Sequence, residues 1–328
     1  MNKYSFYGPF RKELQEFIEV KQAIGYEYLK AASTLRRFDG LTAERHPLAD
    51  TLTKEIVLEW CEKKSYEAQR NLYTRSVLMR QFALYLNSLG QKAYIIPRNY
   101  FSHGGKYIPH IFTDDELKKF FGETRRCKYL SWCPHRHLIM PVLFRMLYTC
   151  GLRVSEARLL RVGDVDLRNG VLTINRSKND NSRLVPMSDA LTEECRIYSG
   201  KVHKGASLSN YYFPIRGNKP CSAAVIYNNF RRLLWESGIS HGGKGKGPRV
   251  HDFRHSFAVH RLRKWCREGK DLMVYLPALQ AYLGHASFRG TSYYLRLTAD
   301  VYPDITLKLE TAYPALVPLL EEENYENK

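Results

Sequence analysis

A histidine and an arginine stand three residues apart where a helix is predicted to begin. His251 and Arg254 precede the apolar residues Phe257, Val259 and Leu262, which recur at helical spacing. Residues three apart share one face of a helix, so the imidazole and the guanidinium would point at the same place. Arginine offers a forked set of donors that matches two phosphate oxygens, and histidine can donate a hydrogen bond or move a proton near neutral pH. The pair therefore predicts a phosphate-binding site.

A second arginine follows a predicted helix stop. An apolar helix is predicted over residues 138–149, Gly151 ends it, and Arg153 and Glu156 open the next helix. Their spacing lets the carboxylate hold the guanidinium in place. An arginine held rigidly just after a glycine turn is typical of a ligand clamp, although an exposed surface salt bridge is the commoner use of such a pair.

A lysine stands at the start of a predicted hairpin tip. Residues 171–174 and 183–186 have strand character and are separated by turn-forming residues, with Lys178 between them. A mobile ammonium at this position could reach into a groove, although most lysines at hairpin tips only add solubility. A further short strand is predicted over residues 211–213.

The last candidates are a histidine and two tyrosines. A short helix is predicted over residues 277–283 and is stopped by Gly284, so that His285 is the first residue past the stop. The next predicted helix carries Tyr293 and Tyr294 side by side. Adjacent side chains diverge by about 100° on a helix, so only one of the two can face a given site.

Basic residues are concentrated in the second half of the chain. The formal net charge is +18, and residues 106–300 hold 33 Lys and Arg against 16 Asp and Glu. This concentration predicts a polyanionic partner, with nucleic acid the first candidate, whereas a merely soluble basic surface is the alternative. The glycine-rich loop 241–249 lets backbone amides approach phosphates but lacks a Walker ending. Its candidate DNA-binding residues are Lys244, Lys246 and Arg249.

The cysteines and the apolar segments argue against a disulfide-rich, a zinc-binding or a membrane protein. The seven cysteines form no Cys-x-x-Cys pair, so we expect reduced thiols and neither a disulfide framework nor a zinc site. No signal-peptide core is present, and no run approaches the roughly 18 apolar residues needed to span a membrane. We therefore expect a cytoplasmic protein with no metal and no membrane association.

The chain is predicted to form two domains and a tail. Amphipathic helical patterns fill residues 10–89, and Pro, Gly and Ser break the pattern between residues 96 and 110. We expect a helical domain over 1–104, a second domain over 105–300 that opens with a capping box at Thr113, and a tail over 301–328. Basic residues on the later helices of the first domain could follow a DNA backbone or form a solvated face; they are Lys63, Lys64, Arg70, Arg75 and Arg80.

The motifs of the second domain resemble those of the tyrosine recombinase, or phage-type integrase, family. Each motif is weak by itself, but all occur in the expected order and spacing across residues 110–300. They are Arg153 in Gly-Leu-Arg-Val-Ser-Glu, Lys178 in a hairpin followed by Arg-Leu-Val-Pro, His251-x-x-Arg254, Leu-Gly-His285, and a tyrosine nine residues later. The resemblance implies a mainly α fold with a small β-sheet, made of a helical core-binding domain and a mixed α/β catalytic domain.

The resemblance also implies a reaction and a role for each residue. A tyrosine attacks a DNA phosphate, leaving a 3′-phosphotyrosine and a free 5′-hydroxyl, without cofactor, ATP or metal. Arg153 and Arg254 would bind the phosphate oxygens, and Glu156 would orient Arg153. Lys178 would be the general acid. His251 would accept the tyrosine proton or bind the phosphate, and His285 would contact the phosphate.

The family's spacing selects Tyr294 over Tyr293 as the nucleophile, because the tyrosine is expected nine residues after His285. The partner implied is double-stranded DNA with paired inverted sites, bound by a homotetramer. Family members dock a C-terminal helix into a neighbouring subunit, and residues 301–328 would do so or pack on their own domain. The alternatives are relaxation of DNA as in a type IB topoisomerase, or a non-catalytic DNA-binding regulator with the same fold.

Overall fold

The chain divides into two units, Met1–Tyr107 and Ile108–Lys328, in the computed structural model. The structure describes residues 5–105, 107–131, 133–175, 182–243, 246–285 and 287–302. Lys178, Lys244 and the tail beyond Tyr302 lie outside these residues, so what the sequence predicts for them stays a prediction. Within the described ranges, no helix is long and apolar enough to cross a membrane.

Helices form the described part of the first unit. They are α1 (Arg11–Ala23), α2 (Leu29–Arg45), α3 (Lys54–Trp60) and α4 (Gln69–Ser88). The hydroxyl of Thr53 caps α3 by accepting a hydrogen bond from the backbone N–H of Ile56 at 3.4 Å. Aromatic side chains on three of these helices form the centre of the core, where Phe17, Phe38 and Phe82 are buried against one another.

Helices also dominate the second unit, around a core of its own. They are α5 (Asp114–Arg125), α6 (Arg136–Thr149), α7 (Val154–Leu159), α8 (Asp189–Val202), α9 (Ala223–Glu236), α10 (Asp252–Arg267), α11 (Leu272–Leu283) and α12 (Arg289–Val301). Phe253 on α10 stacks on Phe112 and packs edge-on against Phe120 of α5. This burial fixes the first turn of α10, which carries the predicted phosphate-binding pair.

The capping box predicted at the start of α5 is confirmed. The Thr113 hydroxyl accepts from the backbone N–H of Glu116 at 3.2 Å, and the Glu116 carboxylate accepts from the backbone N–H of Thr113 at 2.8 Å. The preceding residue, Phe112, donates its backbone N–H to the hydroxyl of Ser256 at 2.9 Å. The beginning of the second unit is therefore attached directly to α10.

The predicted hairpin is confirmed as part of a small antiparallel sheet. Strands β1 (Val165–Asp166), β2 (Val171–Ile174) and β3 (Arg183–Pro186) lie in that order across the sheet. Leu172 pairs with Val185, and Ile174 pairs with Arg183. The hairpin tip, including Lys178, lies among residues 176–181, outside the described residues.

The strand predicted over residues 211–213 is reduced to an isolated antiparallel bridge, in which Tyr211 pairs with Arg161. A second, two-stranded sheet begins one residue later, with β4 (Pro214–Ile215) paired to β5 (Lys219–Pro220). The backbone N–H of Tyr212 donates to the carbonyl of Leu160 at 2.8 Å, and its carbonyl accepts from the Tyr198 hydroxyl at 2.6 Å and lies 2.9 Å from the His203 ring. The segment therefore pairs with the backbone of Leu160 and Arg161 but does not extend into a ladder.

The helix predicted over residues 277–283 begins earlier than expected. Its first residue is Leu272, and the Asp271 carboxylate caps it by accepting from the backbone N–H of Met273 at 2.9 Å. Pro277 lies inside the helix instead of opening it. The predicted stop is confirmed, because Gly284 has a left-handed backbone with φ of 65°.

Candidate active site

A buried carboxylate organises one side of the site. The side chain of Glu156, on α7, is 3% exposed. Its Oε1 accepts from Nη1 of Arg153 at 2.7 Å, and its Oε2 accepts from the backbone N–H of the same arginine at 2.9 Å. The predicted pairing of Arg153 with Glu156 is therefore present. The Arg153 side chain stays 21% exposed, so its guanidinium remains accessible to a ligand.

A third arginine, Arg183 on β3, shares the same carboxylate. Its Nη1 and Nη2 donate to Oε1 and Oε2 of Glu156 at 3.0 and 2.8 Å. Sequence reasoning missed this residue, although the alternation of the strand places it on the same face as the buried Val185. Burial raises the pKa of Glu156, but the hydrogen bonds from Arg183 and Arg153 outweigh it and bring the pKa to about 2. The carboxylate is ionised at neutral pH.

Arg254 lies at the centre of the site and is 1% exposed. Its Nη1 donates to the carbonyl of Gly151 at 2.7 Å, and its Nη2 donates to the carbonyl of Leu283 at 2.6 Å. Burial lowers the pKa of Arg254 to about 10, which leaves the guanidinium charged at neutral pH. Gly151 has φ of +57°, and a Cβ there would lie 2.6 Å from the ring of Phe257, so the turn that receives Arg254 requires glycine.

His285 follows the glycine that ends α11. Its Nδ1 lies 3.0 Å from the hydroxyl of Thr291, a partner that sequence reasoning missed. Burial and the positive charges of Arg254 and Arg153 lower the pKa of His285 to about 4. The free protein therefore holds a neutral imidazole here, oriented by Thr291.

The two adjacent tyrosines point to different environments. Tyr294 is 3% exposed, whereas Tyr293 is 42% exposed. The Tyr294 ring lies parallel to that of His285, and its hydroxyl lies close enough to the Arg254 guanidinium for that charge to act on its pKa. Burial raises the pKa of Tyr294, and the Arg254 charge opposes part of that rise. The structure thus brings Tyr294, and not Tyr293, together with the buried arginine.

Two further histidines lie near the start of α10. His251 immediately precedes the helix and is exposed, and its ring lies 4.8 Å from that of His255. His255, which sequence reasoning missed, lies 5.5 Å from the Tyr294 ring, and its Nδ1 is buried without a hydrogen-bond partner. Its position four residues after His251 on the helix was the available signal. Burial lowers the pKa of His255 to about 3.

These groups form a site suited to an anion. Arg153 and Arg254 donate to the carbonyls of the adjacent residues Gly284 and Leu283, so the two guanidiniums lie side by side. Arg153 shares the Glu156 carboxylate with Arg183, and Arg254 is bound by neutral carbonyls, so a phosphate would add the negative charge that these cations need. The buried phenol of Tyr294 lies beside the Arg254 guanidinium. No group of His, Cys, Asp and Glu suited to a metal ion occurs in the part of the chain that the structure describes.

The predicted DNA-binding role of Arg75 in the first unit is wrong. Arg75 was expected to follow a DNA backbone, but it is 6% exposed. Its guanidinium donates to the carbonyls of Trp60 and Glu62 and pairs with the carboxylate of Glu67 at 2.7 Å. Arg75 therefore stabilises the packing of α4 against the end of α3, and it is not available to DNA.

The other predicted DNA-binding residues differ in exposure. Arg80 is partly buried and donates to the carbonyl of Ile96 at 2.5 Å, which limits its reach. The exposed members of the set are Lys63, Lys64, Arg70, Lys246 and Arg249. The backbone N–H of Arg249 donates to the carboxylate of Asp252 at 2.8 Å, which ties the end of the glycine-rich loop to α10.

Comparison with known proteins identifies the family. Residues 111–300 match the phage integrase family. A protein of Sinorhizobium fredii named as an integrase/recombinase is 29% identical over 92% of this chain and 97% of its own length. The tyrosine recombinase XerA of Pyrococcus furiosus is 29% identical over 59% of each chain.

Solved structures confirm the mainly α fold with a small sheet. The Tn1549 transposon integrase, solved with a circular intermediate DNA, superimposes with a TM-score of 0.62 at 16% identity, over 86% of this chain and 94% of that one. A lambda integrase dimer bound to a core site gives a TM-score of 0.58 at 16% identity, over 84% and 94%. The fold and the site define a tyrosine recombinase. The chain belongs to the phage integrase family.

Proposed function

We propose that the protein cuts and rejoins DNA at specific sites through a 3′-phosphotyrosine formed on Tyr294. The observation that carries the proposal is the burial of Tyr294 against Arg254, with His285 stacked on its ring. A buried tyrosine hydroxyl usually satisfies a purely structural need. Here the group beside the hydroxyl is the Arg254 guanidinium, which lies next to the accessible Arg153, where a phosphate would bind.

The reaction is two successive transesterifications. The Tyr294 oxygen attacks the phosphorus, the bond from phosphorus to the 5′ oxygen breaks, and a 3′-phosphotyrosine forms. The 5′ oxygen leaves with a proton from Lys178, and a 5′-hydroxyl of the partner strand then attacks the phosphotyrosine and restores the phenol. Each step exchanges one phosphoester for another, so no energy source is needed.

The two arginines stabilise the negative charge that develops on the phosphate oxygens. In the transition state the non-bridging oxygens carry more negative charge than in the substrate, and Arg153 and Arg254 bind them. Loss of one preorganised donor costs about 3–4 kcal/mol of barrier in comparable sites. Glu156 orients Arg153, and the backbone carbonyls that bind Arg254 hold it before DNA arrives.

Histidines complete the proposed site. His251 stands at its exposed edge and accepts the Tyr294 proton or shares a hydrogen bond with the phosphate. His285 enters as a neutral group, since its pKa is about 4 in the free protein. A bound phosphate raises the pKa of both imidazoles because the protonated forms gain an opposite charge.

The proposed substrate is double-stranded DNA with paired inverted sites, held by a homotetramer. The basic balance of residues 106–300 supports the DNA partner. The two solved structures named above are complexes with DNA. In this proposal residues 1–104 bind the DNA as a core-binding domain, residues 105–300 carry the chemistry, and residues 301–328 dock on a neighbouring subunit.

A nicked suicide substrate tests the proposal. A nick close to the cleavage site lets the short 5′-hydroxyl fragment diffuse away, so the protein–DNA adduct accumulates. We expect a denaturant-resistant adduct in the presence of EDTA, joined through the 3′ phosphate. Binding without any adduct would favour a regulator. Relaxation of plasmid that lacks paired sites, with no exchange between paired sites, would favour the topoisomerase reading.

A further inference from the structure

The end of α11 binds arginines from three different segments. The last carbonyls of a helix have no partner within the helix and carry partial negative charge. Here three consecutive carbonyls are satisfied by three guanidiniums: Arg183 Nε donates to Tyr282 at 2.8 Å, Arg254 Nη2 to Leu283 at 2.6 Å, and Arg153 Nη2 to Gly284 at 3.0 Å. The helix end thus fixes the relative positions of the three cations.

Two of these arginines belong to the proposed phosphate site, but Arg183 does not. Its side chain is 9% exposed. Its donors are engaged by Glu156 on one side and by the carbonyl of Tyr282 on the other. Arg183 therefore contacts a residue that orients Arg153 and the helix end that precedes His285.

We propose that Arg183 is a positioning residue for strand cleavage, acting through Glu156 on Arg153. This inference rests on the proposed function. Arg183 also joins β3, the strand that follows the segment containing Lys178, to the end of α11. One guanidinium thereby links the segments that carry the proposed general acid, the phosphate clamp and His285.

The shared carboxylate explains why Arg183 affects Arg153. Each oxygen of Glu156 accepts from Arg153 on one side and from Arg183 on the other, which fixes the plane of the carboxylate. Without Arg183, the carboxylate keeps only its two bonds to Arg153, so the carboxylate and the partly exposed Arg153 guanidinium are held less firmly. A lysine cannot replace Arg183, because one ammonium lacks the planar fork that binds both oxygens.

Gly284 accommodates this arrangement. A Cβ at Gly284 would lie 2.9 Å from Nη1 of Arg183, and the residue has φ of +65°. The guanidinium of Arg183 therefore packs directly on the backbone that leads to His285. The same glycine provides the carbonyl that binds Arg153.

The test compares two substrates that differ only in charge. Replacing one non-bridging oxygen of the scissile phosphate with a methyl group gives a neutral methylphosphonate, which needs less charge compensation from Arg153. Arg183→Lys and Arg183→Gln are assayed for adduct formation on nicked DNA of both kinds. On phosphate DNA we expect cleavage to slow by roughly 10–100-fold, as for other residues that orient a reactive group. On methylphosphonate DNA we expect the deficit to shrink to a few fold.

The matched control is Arg196→Lys. Arg196 also pairs with a glutamate and a backbone carbonyl, but at an exposed site on α8. We expect it to behave like the wild type on both substrates. DNA affinity should be unchanged in all variants, because Arg183 does not contact DNA in this proposal.

Every other outcome overturns the inference. Wild-type cleavage by both Arg183 variants would show that Glu156 needs no second arginine. Equal deficits on the two substrates, or variants that lose their unfolding transition together with DNA binding, would assign Arg183 to folding alone. If the wild type forms no adduct on phosphate DNA, the proposed function fails first and the positioning role fails with it.

Discussion

The imidazole of His285 lies parallel to the phenol ring of Tyr294, with centroids 5.8 Å apart and planes 15° apart. Two elements produce this contact, because His285 follows the end of α11 and Tyr294 lies on α12. The stacking on His285 and burial beside the Arg254 guanidinium hold the phenol inside the site in the absence of DNA.

Substitution of the two tyrosines separates the nucleophile from its neighbour. Tyr294→Phe should abolish the covalent adduct, because the attacking oxygen is removed while the ring still stacks on His285. Tyr293→Phe should retain adduct formation within a few fold, since that side chain is 42% exposed. Gel analysis of nicked substrate after denaturation measures both. An adduct that survives in Tyr294→Phe would make Tyr293 the nucleophile.

Gly290→Ala should slow cleavage without unfolding the protein. Gly290 lies in the first turn of α12, and a Cβ there would lie 3.3 Å from the His285 ring. The ring must then shift by a few tenths of an ångström, which we expect to reduce cleavage by about tenfold because reactive geometry tolerates little displacement. Single-turnover rates on nicked DNA provide the measurement.

The control for that change is Gly122→Ala on α5. Nothing lies within 4 Å of a Cβ at Gly122. We expect this variant to cleave normally and to gain roughly 0.5–1 kcal/mol of stability from the alanine helix preference. Unimpaired cleavage by Gly290→Ala would mean that the position of His285 is not critical.

Arg254→Lys should reduce both cleavage and stability. The ammonium cannot serve the Gly151 and Leu283 carbonyls together, so at least one buried acceptor loses its donor, at a cost of about 1–3 kcal/mol. Cleavage should fall by roughly 100–1,000-fold, as for loss of an oxyanion donor. Urea unfolding and adduct formation measure the two effects. Normal stability in this variant would contradict the assigned carbonyl contacts.

The free protein should lose stability between about pH 6.5 and pH 4. Burial lowers the pKa of His255 to about 3 and that of His285 to about 4. In this window the unfolded chain binds protons at these positions and the folded protein does not, so falling pH favours unfolding. Each histidine lowers the free energy of unfolding by at most about 1.4 kcal/mol for each unit that the pH falls. Urea midpoints at pH 7 and pH 5 test this, and His255→Gln should reduce the slope. A slope that is unchanged in this variant would show that His255 does not titrate in this way.

Alanine at Lys64 should affect DNA binding, whereas alanine at Arg75 should affect stability. Lys64 is exposed, so Lys64→Ala should reduce the salt dependence of DNA binding, by about 0.9 in the log–log slope if it contacts one phosphate. Arg75→Ala should destabilise the first unit, because the Trp60 and Glu62 carbonyls and the Glu67 carboxylate lose a donor. Salt titration of DNA binding and thermal unfolding measure the two effects. An unchanged melting temperature in Arg75→Ala would contradict its structural role.

Local signals predicted the elements that surround the site. The capping box at Thr113, the hairpin of β2 and β3, and the glycine stop after α11 each depend on a few adjacent residues, and each is present. The pairing of Arg153 with Glu156 belongs to the same class, because the two lie on one turn of helix. Contacts between residues that are close in sequence can be predicted from their spacing.

Contacts between distant segments were not predictable in the same way. Arg183 reaches Glu156 across 27 residues, and its strand pattern indicates a buried face without naming a partner. Arg75 has the spacing of a solvated helix face, but it is buried against three acceptors, one at the end of α3 and two in the loop that follows. The strand predicted over residues 211–213 is reduced to one bridge for a related reason, since the Tyr212 carbonyl accepts from the Tyr198 hydroxyl on α8.

The two left-handed glycines at the site have a practical consequence for variant libraries. Gly151 and Gly284 have positive φ, and added side-chain atoms would collide with Phe257 and Arg183, respectively. A saturation screen scored by recombination would rank both positions among the least tolerant, although neither performs a chemical step. Intolerance at such a position reflects the backbone conformation that the fold requires. Only an assay that isolates the covalent step distinguishes this structural effect from loss of a catalytic group.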